Sequence, residues 1–227
     1  MRVKYATISQ AGARPINEDC LHIMDMPEAD RFMGIVCDGM GGHTMGEVAS
    51  RIVCHAISRY WEEHASQHDC EEKVLRACST GSLDIDRETW EHGHAQMGTT
   101  MVMASIEGRG VTIAHVGDSR CYLQRPGDGL LYRTEDHTTP ANGREQVSRC
   151  FFSYRPEVAR PETRMFQLQG GDRILICSDG LYKAVAPSTL QTGMMARRPL
   201  EQILDDFGLL CEGQAGDNYT GILVEVE

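Results

Sequence analysis

Gly34-Ile35-Val36-Cys37-Asp38-Gly39-Met40-Gly41-Gly42 joins an apolar run to a carboxylate and then to a glycine-rich turn. A short apolar run reads as a buried strand, and a carboxylate at its end is held rigidly at the rim of a core. The pattern recurs along the chain. Asp118 follows Ile113-Ala114-His115-Val116-Gly117, and Asp179 follows Ile174-Leu175-Ile176-Cys177-Ser178 with Gly180 behind it. Asp217 sits in Gln214-Ala215-Gly216-Asp217-Asn218, just ahead of a last apolar stretch. Each aspartate alone reads equally well as a helix cap or turn former. Four together point to a hard-cation site, because magnesium and manganese prefer oxygen ligands in octahedral array and retain several waters.

Working outward from Asp38, residues 3–9, 20–25 and 32–37 read as short strands. The stretch from Met45 to Trp61 is an amphipathic helix, with Val48, Ala49, Ile52, Val53, Ala56 and Ile57 on one face. Thr44 with Glu47 predicts a capping box at its start. A second helix over 70–90 has Asp69 and Glu72 as its predicted cap and Val74, Cys78 and Ile85 as a thinner apolar face. Strands follow at 99–106, 111–117 and 119–124, then an irregular stretch over 135–163 with three prolines. Strands return at 164–168 and 173–178, a helix lies near 199–212, and a strand at 219–226 ends the chain. Runs of strands interrupted by paired helices indicate an α+β layered domain, and residues 174–177, apolar on both faces, indicate a sheet covered on both sides.

The 227 residues suffice for one domain with a full core, and no repeat or linker divides them. The net charge of −11 argues against nucleic acid or an anionic membrane as the main partner. The nine cysteines are odd in number, form no Cys-x-x-Cys and sit partly inside apolar runs, so they read as core residues in a reducing compartment. With no hydrophobic leader and no run of about 20 apolar residues, a cytoplasmic protein is expected.

The motifs, in order, are Arg14-Pro15-Ile16-Asn17-Glu18-Asp19, Val36-Cys37-Asp38-Gly39-Met40-Gly41-Gly42, Gly46-Glu47-Val48-Ala49-Ser50 and Met97-Gly98-Thr99-Thr100. They continue with Val116-Gly117-Asp118-Ser119-Arg120, Asp136-His137, Cys177-Ser178-Asp179-Gly180-Leu181 and Gly216-Asp217-Asn218. Over almost the whole length the chain resembles the metal-dependent serine/threonine protein phosphatases of the PPM type (protein phosphatase type 2C), in their compact bacterial form. The resemblance implies a four-layer α-β-β-α sandwich, two antiparallel sheets flanked by antiparallel helix pairs, as a single catalytic domain over 1–227. It implies two Mn²⁺ or Mg²⁺ ions, with Asp38 bridging both and the Gly39 carbonyl completing one. Asp179 and Asp217 would hold the other ion, Glu18 would contact the second metal, and Asp118 would join Asp179 at a third, weaker site. Arg14 would bind the substrate phosphate. The implied partners are phosphorylated proteins and an opposing Ser/Thr kinase, with the enzyme a monomer.

Two ions about 3.5–4 Å apart can share a water, lower its pKa and template in-line attack, without a covalent phosphoenzyme. Asp38 suits the bridge because its two oxygens can face different ions, and the following glycines let the backbone turn sharply. Arg14 offers a planar fork to phosphate oxygens that a lysine would not reproduce. Some relatives carry histidine where this chain has Met40, which leaves the proton donor to a metal-held water or, less readily, to His43. The segment around 138–163 is shorter than the mobile flap usual in bacterial members, which bears on substrate choice.

Other patterns have plainer explanations. Cys70-x₅-Arg76 has the spacing of a cysteine-phosphatase loop, but the residues between are helical and include two acids. Asp84-Ile85-Asp86 lies mid-helix, His92-Gly93-His94 reads as a surface turn, and no Walker-type loop is present. The function implied is hydrolysis of phosphoserine and phosphothreonine monoesters in proteins. The rivals are a small-molecule phosphatase on the same fold, a regulatory phosphatase for an anti-sigma-factor-type partner, and a binding module without turnover.

Overall fold

The computed structural model describes residues 2–40, 45–141, 143–214 and 216–227. Strands β1 (Val3–Gln10), β2 (Asp19–Met26) and β3 (Arg31–Asp38) lead into helices α1 (Gly46–Glu63) and α2 (Glu71–Glu91). The middle of the chain forms β4 (Gly98–Thr99), β5 (Met101–Glu107), β6 (Gly110–Val116), β7 (Arg120–Arg125) and β8 (Gly129–Arg133). Then come β9 (Thr138–Ala141), β10 (Arg144–Val147), β11 (Phe151–Phe152) and β12 (Glu162–Gln167). The last elements are β13 (Arg173–Cys177), α3 (Asp179–Ala184), α4 (Pro187–Met194), α5 (Leu200–Gln214) and β14 (Tyr219–Val226).

Two five-stranded sheets, ordered β1-β14-β13-β7-β8 and β12-β6-β5-β3-β2, carry the fold. All their pairings are antiparallel. The period-2 alternation of side chains sorts them into layers. On β3, Met33, Ile35 and Cys37 pack with α1 and α2, while Phe32 and Val36 meet the opposite sheet. On β13, Leu175 and Cys177 pack with α3, α4 and α5, while Ile174 and Ile176 face inward. The result is the α-β-β-α sandwich that the family resemblance implies, with three apolar seams. Helices α1 and α2 run antiparallel: Lys73 lies against Trp61 near their connection and Gly81 against Val53 farther along. The other helical layer is one long helix, α5, with the short α3 and α4 beside it.

Several expectations are corrected. Asp69 does not cap α2; the cap position is Cys70, and no side chain bonds the helix end. The Asp69 carboxylate instead accepts from Lys73 Nζ at 2.9 Å and from the Ser105 hydroxyl. Two buried donors outcompete the exposed amides of the first turn. Met45 precedes α1 without a capping bond, and Thr44, like Gly41, Gly42 and His43, lies outside the described residues. The stretch 135–163 is not irregular throughout: β9 and β10 form a hairpin, and β11 pairs with β4. All nine cysteines are free thiols. Among the described residues no helix is long and apolar enough to cross a membrane.

Candidate metal centre

The acids converge because four segments end at the same edge of the two sheets. Asp38 is the last residue of β3, and its strand register places Asp19, the first of β2, directly opposite. Asp118 sits in the turn from β6 to β7, Asp179 opens α3 directly after β13, and Asp217 precedes β14. Asp38, Gly39, Asp118, Asp179 and Asp217 all line one cavity of about 560 Å³. Its other wall comes from the segment after β9, including Gln146, Val147, Ser148, Phe152 and Arg155.

The backbone beneath is tightly fixed. The Asp38 carbonyl accepts from Thr100 N–H at 2.9 Å and from the Thr99 hydroxyl at 2.8 Å. Gly39 N–H donates to the Glu18 carbonyl at 3.1 Å. Gly39 is required by crowding: a Cβ there would lie 2.3 Å from the Gly46 carbonyl oxygen and 2.6 Å from that of Glu18. At Gly180 a Cβ would lie 2.0 Å from the Asn218 carbonyl oxygen, so the start of α3 and the approach to β14 touch backbone to backbone. Asn218 ties the entry loop down, donating from Nδ2 to the Ala11 and Ile16 carbonyls at 2.8 and 2.9 Å. It also accepts Glu18 N–H at 2.9 Å.

Electrostatics follow from the crowding. Burial, and then the charges of Asp19, Asp179, Asp118 and Asp217, hold the Asp38 carboxyl well above the usual carboxylate range. Burial raises Asp118, with Asp179 adding to it and Lys183 opposing. Glu18 is raised by burial and by Glu47, against the pull of Arg14. A donor set made only of oxygens suits hard divalent cations.

Asp19 was quoted in a motif but given no role by sequence reasoning. Its carboxylate accepts the Ser178 hydroxyl at 2.8 Å. Burial pushes it up to about 7, with hydrogen bonds from Ser178 and Thr220 opposing and Asp179 and Asp217 adding. Ser178 in turn accepts Thr220 N–H at 3.0 Å, which links Asp19 to the residue before Asp179. The contact runs from one sheet to the other, and no local sequence pattern reveals it. Lys183 was also missed: its Nζ lies 2.5 Å from Asp179 and 3.7 Å from Asp118.

Arg14 is exposed at the edge of the site. Its Nε donates to the Gly216 carbonyl at 3.0 Å, and Nη2 lies 3.1 Å from Asp217. The patterns set aside above are structural. Cys70 precedes α2, Arg76 pairs with Glu72, Asp84 pairs with Arg59 and Arg87, and His92 ends α2.

His115, His137 and Glu162 form a separate cluster behind the Gly117 turn, with ligand atoms within 4.8 Å of one another. Its bonding is mixed: His115 Nε2 donates to the Glu135 carbonyl at 2.8 Å, which leaves the buried Nδ1 lone pair without a partner among the described residues, whereas His137 is engaged on both sides. Gly117 N–H faces His137 Nδ1 at 3.2 Å and Arg149 Nη1 faces Nε2 at 3.3 Å, so either neutral tautomer has its lone pair turned to a donor.

The chain matches the protein phosphatase 2C family over residues 10–215. It is 30% identical to the serine/threonine protein phosphatase PstP of Mycobacterium tuberculosis over 99% of its own length, and spans 45% of that relative. It is 30% identical to the serine/threonine phosphatase stp of Listeria innocua, covering 84% of this chain and 83% of that one. A crystal structure of the PstP catalytic domain in complex with two manganese ions superposes with a TM-score of 0.83, at 27% identity over 99% of each chain. The family match spans every acidic segment at the cavity except Asp217, and the PstP identity runs across nearly the whole chain: it belongs to the protein phosphatase 2C family.

Proposed function

We propose that the chain hydrolyses phosphoserine and phosphothreonine monoesters in proteins, with Mn²⁺ or Mg²⁺ as its cofactor. The observation that carries this is the gathering of Asp38, Asp118, Asp179 and Asp217 around one cavity, with Asp38 and Asp118 driven upward by burial and mutual repulsion. Asp38 and the Gly39 carbonyl would hold one ion, and Asp38, Asp179 and Asp217 the other, with Glu18 at the margin. Bound in this way, two divalent ions neutralise a phosphate and lower the pKa of water at the site.

The chain's own residues do the rest. Asp38 is fixed from below through its own carbonyl, so its carboxylate reorganises little. Arg14 lies beside Asp217 at the rim and presents its guanidinium to non-bridging phosphate oxygens. Met40 lines the cavity and has no proton to give to a leaving alkoxide. The wall over 144–158 would act as the flap, with Arg155 and Val147 meeting the peptide around the phosphorylated residue. The relatives named as protein phosphatases support phosphoproteins as substrates; a Ser/Thr kinase would then be the opposing activity.

The test is hydrolysis of a phosphothreonine peptide by EDTA-stripped protein with Mn²⁺, Mg²⁺ or no metal restored. Turnover returning only with metal is the expected result. Absence of turnover with either metal, while a small phosphomonoester is hydrolysed, would move the substrate to a metabolite.

A further inference from the structure

Asp179 and Lys183 stand one turn apart on α3, the acid N-terminal to the base, which is the favourable order for a helical pair. Lys183 Nζ lies 2.5 Å from Asp179 Oδ2 and reaches across to Asp118 Oδ2 at 3.7 Å. A tethered ammonium therefore joins α3 to the β6–β7 turn at the rim of the cavity. The neighbouring Tyr182 ring, 5.9 Å from Nζ, is stacked beneath the Arg120 guanidinium at 3.7 Å, which keeps this end of α3 in place.

The family resemblance implies a third, weaker ion shared by Asp118 and Asp179. We infer that Lys183 is a resident cation in that position, so that this chain holds two divalent ions and not three. The inference rests on the two-ion reading proposed above. A divalent ion entering between Asp118 and Asp179 must expel the ammonium or sit against a like charge at close range. Lys183 thus acts as a positioning residue, holding the Asp118 carboxylate against Asp179 without a metal.

The experiment counts Mn²⁺ per chain, by paramagnetic resonance of free Mn²⁺ during titration and by native mass spectrometry. It compares the wild type with Lys183→Met, which removes the charge and keeps the stem, and with Lys183→Arg, which keeps a charge. The wild type and Lys183→Arg are expected to saturate at two ions. Lys183→Met is expected to take a third, at least tenfold more tightly than any third ion in the wild type. A third ion bound equally by wild type and Lys183→Met overturns the inference, as does Lys183→Met stopping at two. A wild type that binds fewer than two ions overturns the two-ion reading as well, and so separates the two failures.

Discussion

Asp19 and Arg14 bracket the site from opposite sides, one half-buried beneath the acids and the other exposed at their rim. Asp19 touches the hydroxyl that precedes Asp179 and lies opposite Asp38 in the ladder, so it supports the cavity-lining carboxylates without lining the cavity itself. Groups of this kind typically cost 10–100-fold in metal affinity when removed. Asp19→Asn is expected to weaken Mn²⁺ binding by about that factor, while turnover at saturating Mn²⁺ stays within a few fold of wild type. Calorimetric titration paired with saturation kinetics checks this; unchanged Mn²⁺ affinity would sink it. Arg14 makes the opposite prediction. Charge-assisted bonds to phosphate contribute about 1.5–3 kcal/mol, so Arg14→Ala should raise KM about 10–100-fold with kcat little changed. A normal KM would remove Arg14 from phosphate binding. The cavity-lining aspartates were legible because each follows an apolar run or a glycine turn. Asp19 and Lys183 were not, since strand register and a short helix bring them in, and neither leaves a local signature.

At the scale of elements, the link between α1, α2 and β5 is a buried polar knot. Lys73 Nζ bonds Asp69 at 2.9 Å and lies 4.2 Å over the Trp61 ring. Trp61 Nε1 donates to Ser105 Oγ at 3.0 Å, and the Ser105 hydroxyl donates to Asp69. Asp69→Ala would leave a buried ammonium with only the Gln67 carbonyl, at 3.4 Å, and a ring face. Breaking such a pair costs about 3–5 kcal/mol, and urea denaturation should show a loss of that size. A loss under about 1 kcal/mol would reduce the knot to the standing of a surface pair. The same residue shows where sequence reading runs out. Asp69 with Glu72 has the form of a helix cap, but tertiary donors took the carboxylate. The long α1 was legible because its apolar face repeats over more than four turns. By contrast, α3 and α4 have 6 and 8 residues, too few for a period to appear. The β9–β10 hairpin is exposed and largely polar, so backbone bonds define it and no apolar alternation announces it.

Across the whole molecule, the sandwich gathers acids from distant parts of the chain at one end, and stability must depend on what neutralises them. Asp19 is pushed up to about 7, and Asp38 and Asp118 also stand above the usual carboxylate range. For a carboxyl raised in the fold, the folded state keeps protons that the unfolded chain has released. Between the ordinary value of 3.8 and the folded value of about 7, the folded protein therefore binds more protons, and unfolding free energy falls as pH rises. The contribution is fully present below the unfolded value and is lost as pH passes the folded one. A divalent cation held by these carboxylates would replace those protons, and would bind more tightly once it no longer competed with them. EDTA-treated protein is expected to lose Tm on the order of 5–10 °C from these groups between about pH 5 and pH 8. Added Mg²⁺ should raise Tm more at the higher pH. Mg²⁺ is the ion to use, because it seeks oxygen and leaves the histidines aside. Acids remote from the cluster titrate alike with and without Mg²⁺, so the difference between paired melts isolates the site. Scanning calorimetry at fixed ionic strength reads it, and an Mg²⁺-induced shift of equal size at both pH values would mean that the ion does not displace protons from these carboxylates.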